Sequence, residues 1–227
     1  MKIAILEFPG SNCDVDLIDA FKRHFSITLQ PIWHAETTFP KLDGVLIPGG
    51  FSFGDYLRSG ALAAHSHCIQ NLKDYAKQGR PIFGICNGFQ VLTESHLLPG
   101  ALLRNESRKF ICRYTWLTPS GAALAGLEKK PLHVPIAHGE GRYYIGEDGL
   151  KSLQDKEQIA FRYCDESASV KPSANPNGSV DSIAGVTSEN GRILGMMPHP
   201  ERATDELIGG SRDGLAIFET FFNLAAR

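Results

Sequence analysis

The stretch Arg80-Pro-Ile-Phe-Gly-Ile-Cys-Asn-Gly-Phe-Gln-Val-Leu92 decides how this chain is read. Pro81 to Ile85 is a short apolar run suited to a buried strand, and Gly88 to Leu92 opens an amphipathic helix. Between them stands Gly84-Ile85-Cys86-Asn87-Gly88, a Gly-x-Cys-x-Gly corner. A strand entering a G-x-nucleophile-x-G turn is the nucleophile-elbow pattern, here with cysteine in place of serine. The nucleophile of such a corner sits on a strained turn, so glycines flank it. Cys86 then lies at a helix N-terminus, where partial positive charge favours a thiolate. The backbone N–H of Asn87 is free to donate to an oxyanion.

The segments before the corner support a buried sheet. Residues 2–8 (KIAILEF) and 44–50 (GVLIPGG) are apolar runs of the kind buried on both faces of a parallel sheet. Residues 26–33 read as another strand. Helical patterns fill the gaps: residues 13–25, with Val15, Ile18, Phe21 and Phe25 on one stripe, and residues 61–79, stopped by Gly79. Alternating strands and helices predict an α/β fold, an open and mostly parallel (mixed) central sheet with helices on both faces. After residue 100 the pattern changes. Residues 109–118, 132–139, 159–164 and 182–197 read as strands with few helices between them, and Glu189-Asn190-Gly191 as a hairpin turn. The sheet is therefore expected to gain antiparallel strands at one side. A helix over 213–226, with Leu215, Phe218 and Phe222 on one face, closes the chain. With no internal repeat or linker, residues 1–227 are expected to form a single domain.

Composition narrows the function classes. The 227 residues are 42% hydrophobic and 21% charged, with a formal net charge of −2. No Lys/Arg run supports nucleic-acid binding. The longest apolar runs are too short to cross a bilayer, and no signal peptide is visible, so the expected place is the cytosol and no membrane partner is expected. The five cysteines contain no C-x-x-C pair, which argues against a metal site. Most are expected to be buried hydrophobes.

A nucleophilic thiol needs a base. Among eight histidines, His199 is set apart by its place in Met196-Met-Pro-His-Pro-Glu-Arg202. Flanking prolines predict an extended backbone, in which His199 and Glu201 point the same way. A carboxylate beside an imidazole fixes its tautomer and stabilises the imidazolium. Cys86, His199 and Glu201 are thus the expected nucleophile, base and orienter. Cys13, also between a strand and a helix start, is a rival low-pKa thiol without the flanking glycines. Residues 48–55 (PGGFSFGD) are not a Walker loop; Gly50 in them is a candidate second oxyanion donor.

The Gly84–Gln90 elbow and Pro198–Glu201 resemble the class I (triad-type) glutamine amidotransferases. Residues 48–61 and 175–179 (NPNGS) bring the chain nearest to the glutaminase subunits of phosphoribosylformylglycinamidine synthases, with further matching stretches at 5–14, 104–110, 138–143, 196–202 and 213–219. The resemblance implies that Cys86 attacks the carboxamide of glutamine, that His199 protonates the departing ammonia, and that water then releases glutamate from a thioester. It implies that Gln90 holds the substrate and that Ser107, Phe110 and His138 line the pocket. It further implies no cofactor in this chain, ATP and Mg on a separate synthetase (large) subunit making formylglycinamidine ribonucleotide for purine biosynthesis, and it leaves open a small bridging subunit. Asp55, Tyr56 and Arg58 are expected to face that partner. Three other readings stay open: a glutaminase serving another synthetase, a stand-alone cysteine hydrolase of the DJ-1-like kind, and a binding module without turnover.

Overall fold

Cys86 follows the strand Ile82–Ile85, which lies inside the parallel half of a mixed nine-stranded sheet. The computed structural model describes residues 1–226 except 122, 123, 125, 126, 128 and 129. Five strands are mutually parallel and lie side by side: β2 (Gln30–Trp33), β1 (Ile3–Glu7), β3 (Gly44–Ile47), β4 (Ile82–Ile85) and β11 (Ile193–Met196). The sheet continues antiparallel through β10 (Ile183–Thr187), β9 (Ile159–Cys164), β6 (Ile111–Pro119) and β7 (Leu132–His138). The expected mixed sheet is present, and β10 and β11 form the hairpin expected around Glu189–Gly191. A separate two-stranded sheet pairs β5 (Ala101–Leu103) with β8 (Arg142–Tyr144).

Alternation along β4 shows how the two faces are covered. Phe83 meets Phe218 and Phe221 of helix α6 (Asp213–Ala225) on one face. Gly84 faces Leu92 and Gly88 of helix α3 (Asn87–Glu94) on the other. On the α6 side, Phe21 of α1 (Asp14–His24) packs edge-on against Phe218 and Phe222, with ring centroids 4.9 and 5.2 Å apart. Burying each such ring stabilises the fold by about 1.5–3 kcal/mol.

Three local expectations are corrected. Val15 is 61% exposed, and the buried side of α1 is Leu17, Ala20 and Phe21. In α6 the fully buried apolar positions are Ile217, Phe218 and Phe221, with Phe222 half-buried and Leu215 off that face. The helix expected over 61–79 starts only at His67: α2 spans His67–Lys77, because Ser66 is extended (φ −65°, ψ 153°) and ends the short turn Ala63–His65. Gly60, before that turn, lies against α3, where a Cβ would come 2.7 Å from Val91 N. Two further helices, α4 (Glu147–Asp155) and α5 (Glu206–Gly209), lie in the second half. Among the described residues no helix is long and apolar enough to cross a membrane.

Candidate active site

The elbow is a strained backbone position held from both sides. Cys86 has φ 50° and ψ −105°, a conformation that costs a non-glycine residue about 1–3 kcal/mol. Its N–H donates to Met196 O at 2.8 Å, and its carbonyl accepts from Phe89 N and Gln90 N at 3.0 and 3.1 Å. The flanking glycines let α3 lie directly on the sheet. A Cβ on Gly88 would come 2.1 Å from Ile47 O, and one on Gly84 would come 2.7 Å from the Gly88 carbonyl carbon. Small size, more than backbone freedom, is what both positions require.

His199 and Glu201 meet as expected, with Nδ1 and Oε1 2.6 Å apart and side chains only 2% and 0% exposed. The route differs from the expectation. Pro200–Arg202 form a 3-10 turn with Pro200 in its first position, so Glu201 is turned back rather than carried on an extended chain. His199 N–H donates to Pro135 O at 2.8 Å, tying this turn to β7. The Cys86 thiol also reaches β7, with Sγ 3.7 Å from Ala137 O. Burial works against a charge on His199. The Glu201 carboxylate, then Cys86 and Cys13, outweigh it and hold its pKa well above the usual imidazole value. His199 Nε2 has no conventional hydrogen bond among the described residues; the sulfurs of Cys13 and Cys86 are its polar neighbours.

Cys13 is not the low-pKa thiol that its helix-start position suggested. Burial pushes it up, against the pull of His199. Its Sγ lies 3.3 Å from both Asn12 Oδ1 and Arg202 Nη2. Cys13, His199 and Glu201 place three potential metal-ligand atoms within 4.8 Å of one another. Within that cluster, His199 Nδ1 and Glu201 Oε1 are bound to each other and Cys13 Sγ contacts Arg202.

Cys86 opens into a cavity of about 300 Å³, also lined by Gly50, Asp55, Ser59, Gln90 and Glu140. Phe110 and His138, both expected at the pocket, line it too. Ser107 does not: it is exposed, and its Oγ accepts from Lys109 N–H. Gly50 has φ 138°, and a Cβ there would meet Asn12 N at 2.8 Å, so only glycine fits beside residues 10–12. The neighbouring Phe51 N–H is engaged with Gly10 O at 2.9 Å. The Asn87 side chain links this loop to α3, accepting from Ser52 N–H at 3.1 Å and donating to Gln90 Oε1 at 2.9 Å. Its backbone N–H belongs to the first helical turn, where amides lack intrahelical acceptors. Gln90 Nε2 donates to Glu140 O at 2.6 Å, so its amide frames the cavity wall. His138 contacts Asn105 Oδ1 at 3.0 Å. Burial, then the His199 charge, lowers its pKa to about 4, which leaves it neutral near pH 7.

The residues expected to face a partner divide. Tyr56 is 74% exposed, and Leu57 beside it is 86% exposed. Arg58 is exposed but bound in bidentate fashion to Glu94, both contacts at 2.6 Å. Asp55 turns inward and lines the cavity. Glu140 and Asn105 are site residues that the sequence reading missed. Glu140 lies in His138–Tyr143, a stretch the resemblance covered, but its place depends on how β7 returns to α3.

The family model of the CobB/CobQ-like glutamine amidotransferase domain matches residues 1–211. A chain in the structure of PurLQS from Thermotoga maritima is 37% identical, with a TM-score of 0.83, and the match covers 98% of this chain and 97% of that one. A putative GMP synthase subunit from Thermoplasma acidophilum is 16% identical, with a TM-score of 0.67 over 100% of this chain and 94% of that one. A glutamine amidotransferase from Thermotoga maritima is 14% identical, with a TM-score of 0.60 over the same shares. The last two share the fold.

Proposed function

This chain belongs to the CobB/CobQ-like glutamine amidotransferase family, and from that premise we propose that it is the glutaminase subunit of a phosphoribosylformylglycinamidine synthase. The observation that carries the chemistry is Cys86 at a strained strand-to-helix corner beside a buried His199–Glu201 pair 2.6 Å apart. The likeness to a PurLQS chain over nearly its full length supports the purine assignment.

The steps follow from the charges. The Cys86 thiolate attacks the glutamine carboxamide carbon, and the carbonyl π electrons move to oxygen. N–H groups of Gly50 and Asn87 hold that oxyanion. Protonated His199 gives its proton to the departing nitrogen, so ammonia leaves and a glutamyl thioester remains. His199, now neutral, takes a proton from water; the resulting hydroxide adds to the thioester, and glutamate and the thiolate are released. Glu201 keeps the imidazole in one orientation and stabilises its charged form. No redox change or cofactor enters these steps. ATP and Mg belong to the synthetase, a separate large subunit that uses the ammonia to convert formylglycinamide ribonucleotide to formylglycinamidine ribonucleotide.

The loop that carries Gly50 is the proposed docking element. Phe53, Asp55 and Leu57 have φ of 54°, 55° and 71°, and Tyr56 and Leu57 stand out into solvent. A left-handed backbone at the bulky Phe53 and Leu57 stores strain. A partner that buries Tyr56 and Leu57 can reset this loop and align Gly50, which couples glutamine hydrolysis to assembly. A small bridging subunit is compatible with this arrangement but has no separate support.

The test is glutamate release, with and without the synthetase, ATP and formylglycinamide ribonucleotide, for wild type and Cys86→Ala. Wild-type turnover that depends on the partner, with Cys86→Ala inactive, is expected. Glutamate release by Cys86→Ala would remove the nucleophile assignment. A wild type indifferent to this synthetase would remove the purine assignment.

A further inference from the structure

The glutaminase reading identifies the reacting end of the substrate but not what recognises its other end. A glutamine whose carboxamide lies against Cys86 carries a positive α-ammonium and a negative α-carboxylate about one side-chain length away. Gln90, one helical turn beyond Cys86, lies about 5–6 Å along the same face. Its Nε2 contacts Glu140 O, and Cys86, Gln90 and Glu140 line the same cavity.

We propose that Asp55 and Glu140 together hold the α-ammonium group of the glutamine substrate and so restrict the cavity to α-amino acid amides. This rests on the glutaminase reading above. Both side chains line the cavity that contains Cys86. Asp55 Oδ1 is buried and has no hydrogen-bond partner among the described residues. Such an oxygen lacks a donor, and a substrate ammonium supplies one. Glu140 has spare capacity. Among the described residues its Oε2 accepts only a 3.3 Å contact from Ser59 N–H, and its Oε1 lies 3.5 Å from Nε of the exposed Arg104. An ionised carboxylate has about four acceptor positions.

Two further observations point to a polar ligand here. Burial raises the pKa of Asp55, and the Glu140 charge adds to this, against a hydrogen bond with Ser59. A cation between the two carboxylates relieves their repulsion. His138, 3% exposed, lines the same cavity with its Nε2 unpartnered among the described residues. Arg108 and Lys109 also line it and supply complementary charge for the α-carboxylate.

The experiment compares glutamine with glutaramate, the same molecule without its α-amino group, in wild type, Asp55→Asn and Glu140→Gln, each with the synthetase present. Wild type is expected to prefer glutamine by about 10²-fold in kcat/KM, less than a fully enclosed polar site achieves because this cavity is open. In each variant the preference is expected to fall to about tenfold or below, carried by KM for glutamine, while glutaramate turnover changes little. Equal use of the two substrates by wild type, or variants that lose both activities in proportion, would overturn the proposal. Labelling of Cys86 by the chloroketone analogues of both compounds separates the levels of failure. If neither reagent labels Cys86, the glutaminase reading falls and this inference falls with it. If both label it at equal rates, only the ammonium site falls.

Discussion

Replacing Glu201 by glutamine keeps the shape of the site and removes one buried charge. In the structure Glu201 Oε1 lies 2.6 Å from His199 Nδ1, with both side chains shielded from water. At that distance two unit charges attract by about 6 kcal/mol with an effective dielectric near 20. Desolvation, the largest influence on His199, opposes this. Breaking such a buried pair is therefore expected to cost about 3–5 kcal/mol of stability. The pH dependence has a definite sign. His199 has a folded pKa above its unfolded value of 6.5, so the pair's contribution is fully present below that value and is lost as pH rises through the folded pKa. The stability deficit of Glu201→Gln should thus be larger at about pH 6 than at about pH 9. Urea midpoints at the two pH values measure it. Activity should drop roughly 10⁴-fold, because an amide neither stabilises the imidazolium nor fixes its tautomer. A variant with the same deficit at both pH values, or with nearly full glutamate release, would refute the account of the pair.

Two other predictions follow from groups outside the pair. His138 has a folded pKa of about 4 against 6.5 unfolded, so its protonation in the unfolded chain lowers stability as pH falls through that window. His138→Gln should flatten the loss of stability between those values, read from urea midpoints across the range. Leu57→Asp puts a charge at the exposed tip of the proposed docking loop, so it should leave the chain's own stability within about 0.5 kcal/mol. It should weaken co-elution with the synthetase and abolish the partner's stimulation of glutamate release, and unchanged stimulation would move the docking face elsewhere.

How much was legible in the sequence depended on whether the cause was local. The elbow was legible because its glycines answer to a short-range contact between α3 and the two strands beneath it, seen at Ile47 O. The parallel strands were legible because burial on both faces leaves a continuous apolar run. The His199–Glu201 pair was found with the wrong backbone, since a 3-10 turn and an extended chain can both bring residues two apart together here. Val15 misled because periodicity gives an apolar stripe but not where α6 will lie. Asp55 was expected outside and lies inside, because it and the preceding Phe53 and Gly54 have left-handed backbones that reverse the direction its side chain takes.

The places of His138 and Glu140 have a non-local origin. In the order of the sheet, β7 is its last strand, five positions away from β4. Yet Ala137 O at the end of β7 meets the thiol at the end of β4, and Pro135 O anchors the turn that carries His199. The antiparallel half must therefore curl back over the C-terminal ends of the parallel strands, as the twist of successive strands allows. That return puts His138 and Glu140 onto the cavity and gives the open edge of β7 partners, with Asp213 accepting from His133 N–H at 2.8 Å. An edge strand left unpaired would be a site for aggregation; here its free hydrogen-bonding groups help to build the active site. Glu140 could not be placed from its own neighbours, because its position is set by the accumulated twist of four intervening strands. The parallel half places Cys86 by local rules, and the curled half brings Ala137, His138 and Glu140 to the same cavity.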